Sequence, residues 1–141
     1  MHPIPVLNIS IDPYRKDQLL AELEEGLVFT PNVDHLIKLQ KDRVFFEAYQ
    51  QATHHLCDSR IILQLSRLTD RPIPEQLAGS DFFPAYCHFH AQNPGIRIFL
   101  LGGTTESVTL ATQNLNQQAG RSQVVGYYSP PFGFEKSEEE T

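Results

Sequence analysis

Short strand-like runs alternate with stretches of helical spacing along most of this chain. The runs at residues 27–30, 53–57 and 96–101 are each followed by apolar residues that recur at the spacing of a helix. Strands that alternate with helices in this way are typical of a parallel sheet covered by helices. The pattern therefore predicts an α/β fold, a Rossmann-like and mostly parallel sheet with helices on both faces.

Further elements complete this prediction. Residues 6–11 predict a strand near the start of the chain, and residues 122–128 predict the last one. The run at residues 96–101 is nearly all apolar, so we expect both of its faces to be buried. Helices are predicted at residues 17–25, 32–41, 43–51, 59–68, 80–91 and 104–118, and Ser80 is the expected cap of the fifth helix.

Length and charge restrict the classes of protein to which the chain can belong. Its 141 residues suit one domain, which we place at residues 1–133. Residues 134–141 are mostly charged and predict a disordered tail. The formal net charge of -6 provides no general attraction for nucleic acid, so we predict no nucleic-acid partner.

The expected location is the cytoplasm. No apolar run approaches the roughly 20 residues of a membrane-spanning helix, and the first residues lack the pattern of a signal peptide. The two cysteines, Cys57 and Cys87, form no disulfide framework, which favours a reducing compartment.

Polar side chains gather where two predicted strands give way to helices. Thr30 and Asn32 follow the second predicted strand, with His35 close behind, and Asp58 follows the third. In open α/β sheets, ligands usually bind at the carboxyl ends of the strands. Thr30, Asn32 and Asp58 keep a second interpretation as strand-end or helix-capping residues. For Asp58 the position alone favours the cap.

A glycine turn ends the strand predicted at residues 96–101. Gly102 and Gly103 follow Leu101, and Thr104 or Thr105 is placed to cap the next helix. Glycines let a ligand approach the backbone, and the free amides at a helix start favour a phosphate. The segment matches neither GxGxxG nor GxxxxGK[ST]. A tight structural turn and a phosphate site therefore both stay open, and the segment alone favours the turn.

Six histidines raise the question of a metal site. His54 with His55, and His88 with His90, are the close pairs. Neither pair has the spacing of a structural zinc site or of an HExxH motif. We therefore predict no metal and no cofactor.

Three early and central segments together resemble one known family. Residues 30–35, TPNVDH, resemble its T-x-N-x-(E/D)-H segment. Asp58 lies where its DGxG segment begins, and Gly79, Ser80 and Asp81 match the end of its R-V-x-G-S-D segment.

Two later segments extend the resemblance. Residues 99–103 match its FLLGG strand and turn, and residues 124–128 resemble the following I-V-G strand. The chain is similar to the WecG/TagA/CpsF glycosyltransferase family over about residues 6–132.

The resemblance implies the family's reaction. This is transfer of an N-acetylmannosamine-type hexose from a UDP-sugar donor to a lipid-linked saccharide acceptor, in the synthesis of cell-surface polysaccharide or teichoic acid. It implies an inverting, metal-independent transfer, with peripheral contact at the inner face of the membrane. Asp58 and Thr30 would be the catalytic residues, Asp58 as the general base. The implied substrate-binding residues are Asn32, His35, Gly79, Ser80, Asp81, Gly102 and Gly103.

The chain departs from the family pattern at three places. Ser59 and Ile61 replace the two glycines of DGxG, and Gln76 takes the place of the arginine. The family also continues beyond the strand predicted at residues 122–128, with a G-x-G-x-P-x-Q-E segment. We therefore expect a fold that is incomplete at its C-terminus.

Two hypotheses of different classes follow. The first is an active glycosyltransferase, which Thr30, Asn32 and Asp58 favour. The second is a non-catalytic remnant or nucleotide-sugar-binding module of the same family, which the three departures favour. Because the last strand of an incomplete sheet has an unpaired edge, we also expect a homo-oligomer.

Overall fold

The computed structural model describes residues 2–133, and the tail predicted at residues 134–141 lies outside them. The described residues form six helices and six short strands, mixed along the chain, which confirms the α/β class. The chain divides into two compact units, Met1–Pro84 and Ala85–Thr141. One domain over residues 1–133 stays a prediction. No helix in the described part of the chain is both long and apolar enough to cross a membrane.

The first unit contains four short strands and four helices of seven residues, and a longer helix begins at its end. The strands are β1 (Ile4–Val6), β2 (Ile9–Ile11), β3 (Val28–Phe29) and β4 (His54–His55). The helices are α1 (Lys16–Glu22), α2 (Val33–Leu39), α3 (Arg43–Tyr49), α4 (Arg60–Ser66) and the longer α5 (Gly79–Phe89).

The chain begins with a hairpin, so the prediction of one strand at residues 6–11 is wrong. β1 pairs with β2 in an antiparallel register that sets Ile4 opposite Ile11 and Val6 opposite Ile9. Leu7 reverses the chain with a φ of 53°, in the left-handed region that leucine rarely adopts. Leucine carries no turn signal, which is why the alternating pattern alone predicted a continuous strand.

β3 and β4 form a parallel pair, as the alternation of strands and helices predicted. Val28 lies opposite His54, and Phe29 lies opposite His55. The hairpin is connected to this pair by Asp12. The Asp12 N–H donates to the His55 carbonyl at 2.9 Å. The Asp12 carboxylate accepts the His55 N–H at 2.9 Å in return.

A single apolar core ties the hairpin to α2, α3 and α4. Burying these side chains supplies the main driving force for folding of the unit. Each helix has only seven residues, too few to be stable alone, so its stability depends on this packing. The buried members are Ile4, Ile9, Ile11, Leu36, Leu39, Tyr49, Cys57, Ile62 and Ile73.

The second unit is built on a parallel pair that one helix covers. β5 (Ile98–Leu101) pairs with β6 (Val124–Tyr128), and α6 (Thr105–Ala119) packs against both strands. Phe99 and Leu101 are 59% and 64% exposed, so the prediction that β5 is buried on both faces is wrong. Half-buried and exposed residues alternate along β5, as expected for a strand that one helix covers on one face.

Arg121 organises the loop between α5 and β5. Its guanidinium donates to the carbonyls of Ala91, Asn93 and Ile96, at 2.5, 2.6 and 3.1 Å. These carbonyls lie in irregular backbone that has few other donors for them. The planar guanidinium, with its five N–H groups, suits this task better than any other side chain.

We expect Arg121→Ala to lower the free energy of unfolding by about 1–3 kcal/mol, because several carbonyls lose a charged donor. Urea denaturation measures this change. Arg97→Ala is the matched control, because Arg97 is exposed and donates no hydrogen bond within residues 2–133. Equal stability of the two variants would contradict the role of Arg121.

Candidate functional site

The parallel pairing of β3 and β4 continues beyond the two strands. The Leu56 N–H donates to the Phe29 carbonyl at 2.9 Å, and the Asp58 N–H donates to the Pro31 carbonyl at 3.2 Å. Asp58 therefore lies directly beside the segment that carries Thr30 and Asn32. The prediction that these residues meet at one edge of the pair is confirmed.

A third segment reaches the same edge. The Leu77 N–H donates to the Cys57 carbonyl at 2.8 Å, which brings the start of α5 beside Asp58. A Cβ placed on Gly79 would lie 3.5 Å from Thr30 Cγ2 and 3.6 Å from Thr30 Oγ1. Gly79 thus faces the Thr30 side chain. We call Thr30, Asn32, His35, Asp58 and the residues 79–81 the strand-end site.

Ser80 lies inside the first turn of α5, so its prediction as the cap is wrong. The helix begins at Gly79, and the Ala78 carbonyl accepts the N–H groups of Asp81 and Phe82 at 3.0 and 2.9 Å. Ser80 and Asp81 are both exposed. Their side chains are therefore open to a ligand at this edge.

Ser59, and not Asp58, caps α4. The Ser59 hydroxyl accepts the Ile62 N–H at 3.2 Å, and the Ser59 side chain is buried. The interpretation of Asp58 as a helix cap is therefore wrong. Ser59 takes the place of the first glycine of the DGxG pattern, and the cap gives this substitution a structural reason.

The Asp58 carboxyl is half-buried and makes no hydrogen bond or ion pair with another described residue. Burial raises its pKa, charge on His35 lowers that pKa, and the Asp81 carboxylate raises it. The burial effect is the largest of the three. A carboxyl of this kind is a suitable proton acceptor, because its basicity is increased and its oxygens stay available.

Asn32 caps α2, and this part of its double interpretation is confirmed. Its Oδ1 accepts the His35 N–H at 2.9 Å. The Nδ2 group has no hydrogen-bond partner within residues 2–133. One side chain therefore stabilises the helix and keeps a donor for a ligand.

His35 is held by an aromatic cluster that the sequence did not indicate. Its Nδ1 lies 2.5 Å from the Tyr49 hydroxyl, and its ring packs edge-on against Phe45. Tyr49 occupies an apolar position of α3 and is 2% exposed. The predicted helix at residues 43–51 contains Tyr49, but only the fold shows that its hydroxyl meets His35.

Gly102 and Gly103 lie in the second unit, in the turn between β5 and α6. Their φ values are 111° and 71°, and a Cβ on Gly103 would lie 2.9 Å from Ser107 Oγ. Thr104 caps α6 and forms a capping box with Ser107. The tight structural turn is confirmed, and a phosphate at this turn stays a prediction.

An apolar cavity of about 720 Å³ lies in the first unit among the hairpin, α2 and α4. None of the residues of the strand-end site lines it. The strand-end site is therefore a polar surface rather than part of this cavity. Within residues 2–133, no group of three or more His, Cys, Asp and Glu side chains could hold a metal ion.

Comparison with known families decides the ancestry of the chain. The family model described as Glycosyl transferase WecG/TagA/CpsF family matches residues 4–141. The chain belongs to the WecG/TagA/CpsF glycosyltransferase family. No curated protein matches it. In this family member three of the segments that carried the resemblance, residues 30–35, Asp58 and residues 79–81, come together in space.

We expect Asp58→Asn to raise the melting temperature at pH 7. The pKa of Asp58 is higher in the folded protein than its usual value of 3.8, which applies to the unfolded chain. At pH 7 the ionised carboxylate therefore lowers the stability of the folded state. The neutral amide removes this cost. The difference in melting temperature between variant and wild type should shrink as the pH falls through the raised pKa of the folded protein. It should disappear below the pKa of Asp58 in the unfolded chain. Thermal melts between pH 3 and 8 measure this, and a variant less stable than wild type at pH 7 would contradict it.

Proposed function

We propose that this chain transfers an N-acetylmannosamine-type hexose from a UDP-sugar to a lipid-linked saccharide acceptor, with Asp58 as the general base. The observation that carries the proposal is the half-buried Asp58 carboxyl, which makes no hydrogen bond among residues 2–133 and lies at the strand ends, where the Asp58 N–H is bonded to Pro31. Membership of the family supports the reaction class. The product would enter cell-surface polysaccharide or teichoic acid synthesis.

The reaction assigns one proton transfer to Asp58. The acceptor hydroxyl attacks the anomeric carbon of the sugar, and the bond from that carbon to the UDP oxygen breaks. Asp58 takes the hydroxyl proton, and UDP leaves with the electron pair of the broken bond. Inversion follows because attack and departure occur on opposite faces of the sugar.

The neighbours of Asp58 supply groups for binding. The Thr30 hydroxyl faces Gly79, and the absence of a side chain at Gly79 leaves space for a ligand beside it. Asn32 offers an Nδ2 donor that has no hydrogen-bond partner among residues 2–133, and His35, Ser80 and Asp81 complete the proposed substrate contacts at this site. The turn at Gly102 and Gly103, in the second unit, stays a separate candidate for backbone contacts to a phosphate. We place the reaction at the inner face of the membrane, through peripheral contact, with a homo-oligomer as the expected assembly.

Ser59 favours a second candidate function, a nucleotide-sugar-binding module without catalysis. The family pattern has glycine at this position, where a ligand can approach the backbone. Here a buried serine side chain caps α4 instead. In this alternative the strand-end site keeps the contacts to the donor and has lost turnover.

A transfer assay with UDP-N-acetylmannosamine and a short-chain lipid-linked saccharide separates the two functions. We expect Asp58→Asn to reduce turnover by roughly 100- to 10,000-fold, the usual contribution of a general base, and to leave donor affinity unchanged. Asp70→Asn is the control, because it makes the same charge change at an exposed residue outside the site.

Wild-type turnover in the Asp58→Asn variant would contradict the role of Asp58. A folded wild-type chain that binds the donor and transfers nothing would support the binding module.

A further inference from the structure

The Tyr49 hydroxyl has one partner in the described part of the chain. The residue is 2% exposed, and its ring packs edge-on against Phe29 and Phe45, with centroids 4.8 and 5.1 Å away. The hydroxyl lies 2.5 Å from His35 Nδ1 and makes no other hydrogen bond within residues 2–133. The direction of this one hydrogen bond therefore decides which ring nitrogen of His35 carries hydrogen.

Tyr49 donates this hydrogen bond. Burial raises the pKa of Tyr49 to about 12, so the phenol keeps its proton at neutral pH. A buried O–H group needs an acceptor, and His35 Nδ1 is the acceptor within reach. Because Nδ1 accepts, it carries no hydrogen, and the hydrogen of the neutral imidazole is on Nε2.

The Nε2–H group of His35 is an available donor. It has no hydrogen-bond partner within residues 2–133, whereas every buried side-chain nitrogen or oxygen in that range has one. The Nε2 atom therefore lies at an accessible surface. The first turn of α2 carries this ring beside the segment that pairs with Asp58, because the His35 N–H donates to Asn32 Oδ1 at 2.9 Å and the Asp58 N–H donates to the Pro31 carbonyl. His35 thus presents its donor in the strand-end site.

We propose that His35 binds an oxygen acceptor of the sugar nucleotide through a neutral Nε2–H group, and that Tyr49 is the positioning residue that fixes this tautomer. The acceptor is a phosphoryl oxygen of the diphosphate or a carbonyl oxygen of the sugar substituent. This inference rests on the proposed function and deepens it. It also divides the roles, because a ring with Nδ1 occupied and Nε2 protonated cannot act as the base that Asp58 provides.

The tautomer is tested without any substrate. Nitrogen-15 NMR of the whole chain, labelled at histidine and held at pH 7.5, reports which ring nitrogen of His35 carries hydrogen. We expect an unprotonated Nδ1 in wild type and a mixture of tautomers in Tyr49→Phe. Hydrogen on Nδ1 in wild type, or a Tyr49→Phe spectrum with the wild-type tautomer, would overturn the role of Tyr49.

The contact to substrate is tested by replacing the ring in two ways. His35→Gln keeps an N–H donor near the position of Nε2, and His35→Leu removes it. We expect UDP-N-acetylmannosamine to bind His35→Gln nearly as tightly as wild type. We expect roughly 10- to 100-fold weaker binding to His35→Leu, the usual effect of losing a hydrogen bond to a charged or polar group. Binding of UDP alone identifies the acceptor. If His35 contacts a phosphate, His35→Leu weakens the binding of both UDP and the UDP-sugar. If His35 contacts the sugar, the variant weakens the binding of the UDP-sugar only.

His54→Gln and His54→Leu are the matched controls, since His54 lies at the opposite end of the β4 segment and contacts Thr53 and Tyr14. Wild-type affinity in His35→Leu, or equal losses in His35→Gln and His35→Leu with both variants folded, would overturn the inference and leave the proposed function intact. A wild-type chain that binds no sugar nucleotide would contradict the proposed function and the contact of His35 together. The tautomer spectrum would still decide the role of Tyr49.

Discussion

The candidate site depends on the parallel hydrogen bonding between two short stretches of backbone, the continuations of β3 and β4. This pairing sets the Asp58 amide against the Pro31 carbonyl and so fixes the carboxyl beside Thr30. The next hydrogen bond, from Leu77 to Cys57, brings Gly79 to the same edge. Three segments that are distant in sequence thus form one surface through backbone bonds. The pairing of these segments therefore does not depend on the Asp58 carboxyl or the Thr30 hydroxyl.

At the strand-end site a structural role and the proposed catalytic role fall to neighbouring residues, Ser59 and Asp58. Ser59 caps α4, and the Asp58 carboxyl makes no hydrogen bond in the part of the chain that the structure describes. A half-buried carboxyl of raised pKa is costly to the fold, a cost that is common at functional sites. Asn32 combines a structural role with a proposed one, since its Oδ1 caps α2 and its Nδ2 has no hydrogen-bond partner within the described residues.

Much of this arrangement could be predicted from sequence, because it follows from local chemistry and from the order of the elements. Alternating runs predicted the parallel pair, and Asn32 was a recognisable cap. The hairpin turn at Leu7 could not be predicted, because leucine has no preference for the left-handed backbone that it adopts there. Ser59 and Asp58 are adjacent and both are favoured helix caps, so the sequence could not decide at which of them α4 begins. The bond from Tyr49 to His35 joins two helices, and periodicity carries no information about such a contact.

The central claim is that the strand-end site binds a sugar nucleotide, and calorimetry with UDP-N-acetylmannosamine tests it most directly. The account predicts measurable binding to the wild-type chain and weaker binding to Thr30→Ala, with Thr109→Ala as the control, because the Thr109 hydroxyl is bonded within α6. No binding at millimolar ligand to a folded sample would contradict the account, as would a Thr30→Ala variant with wild-type affinity.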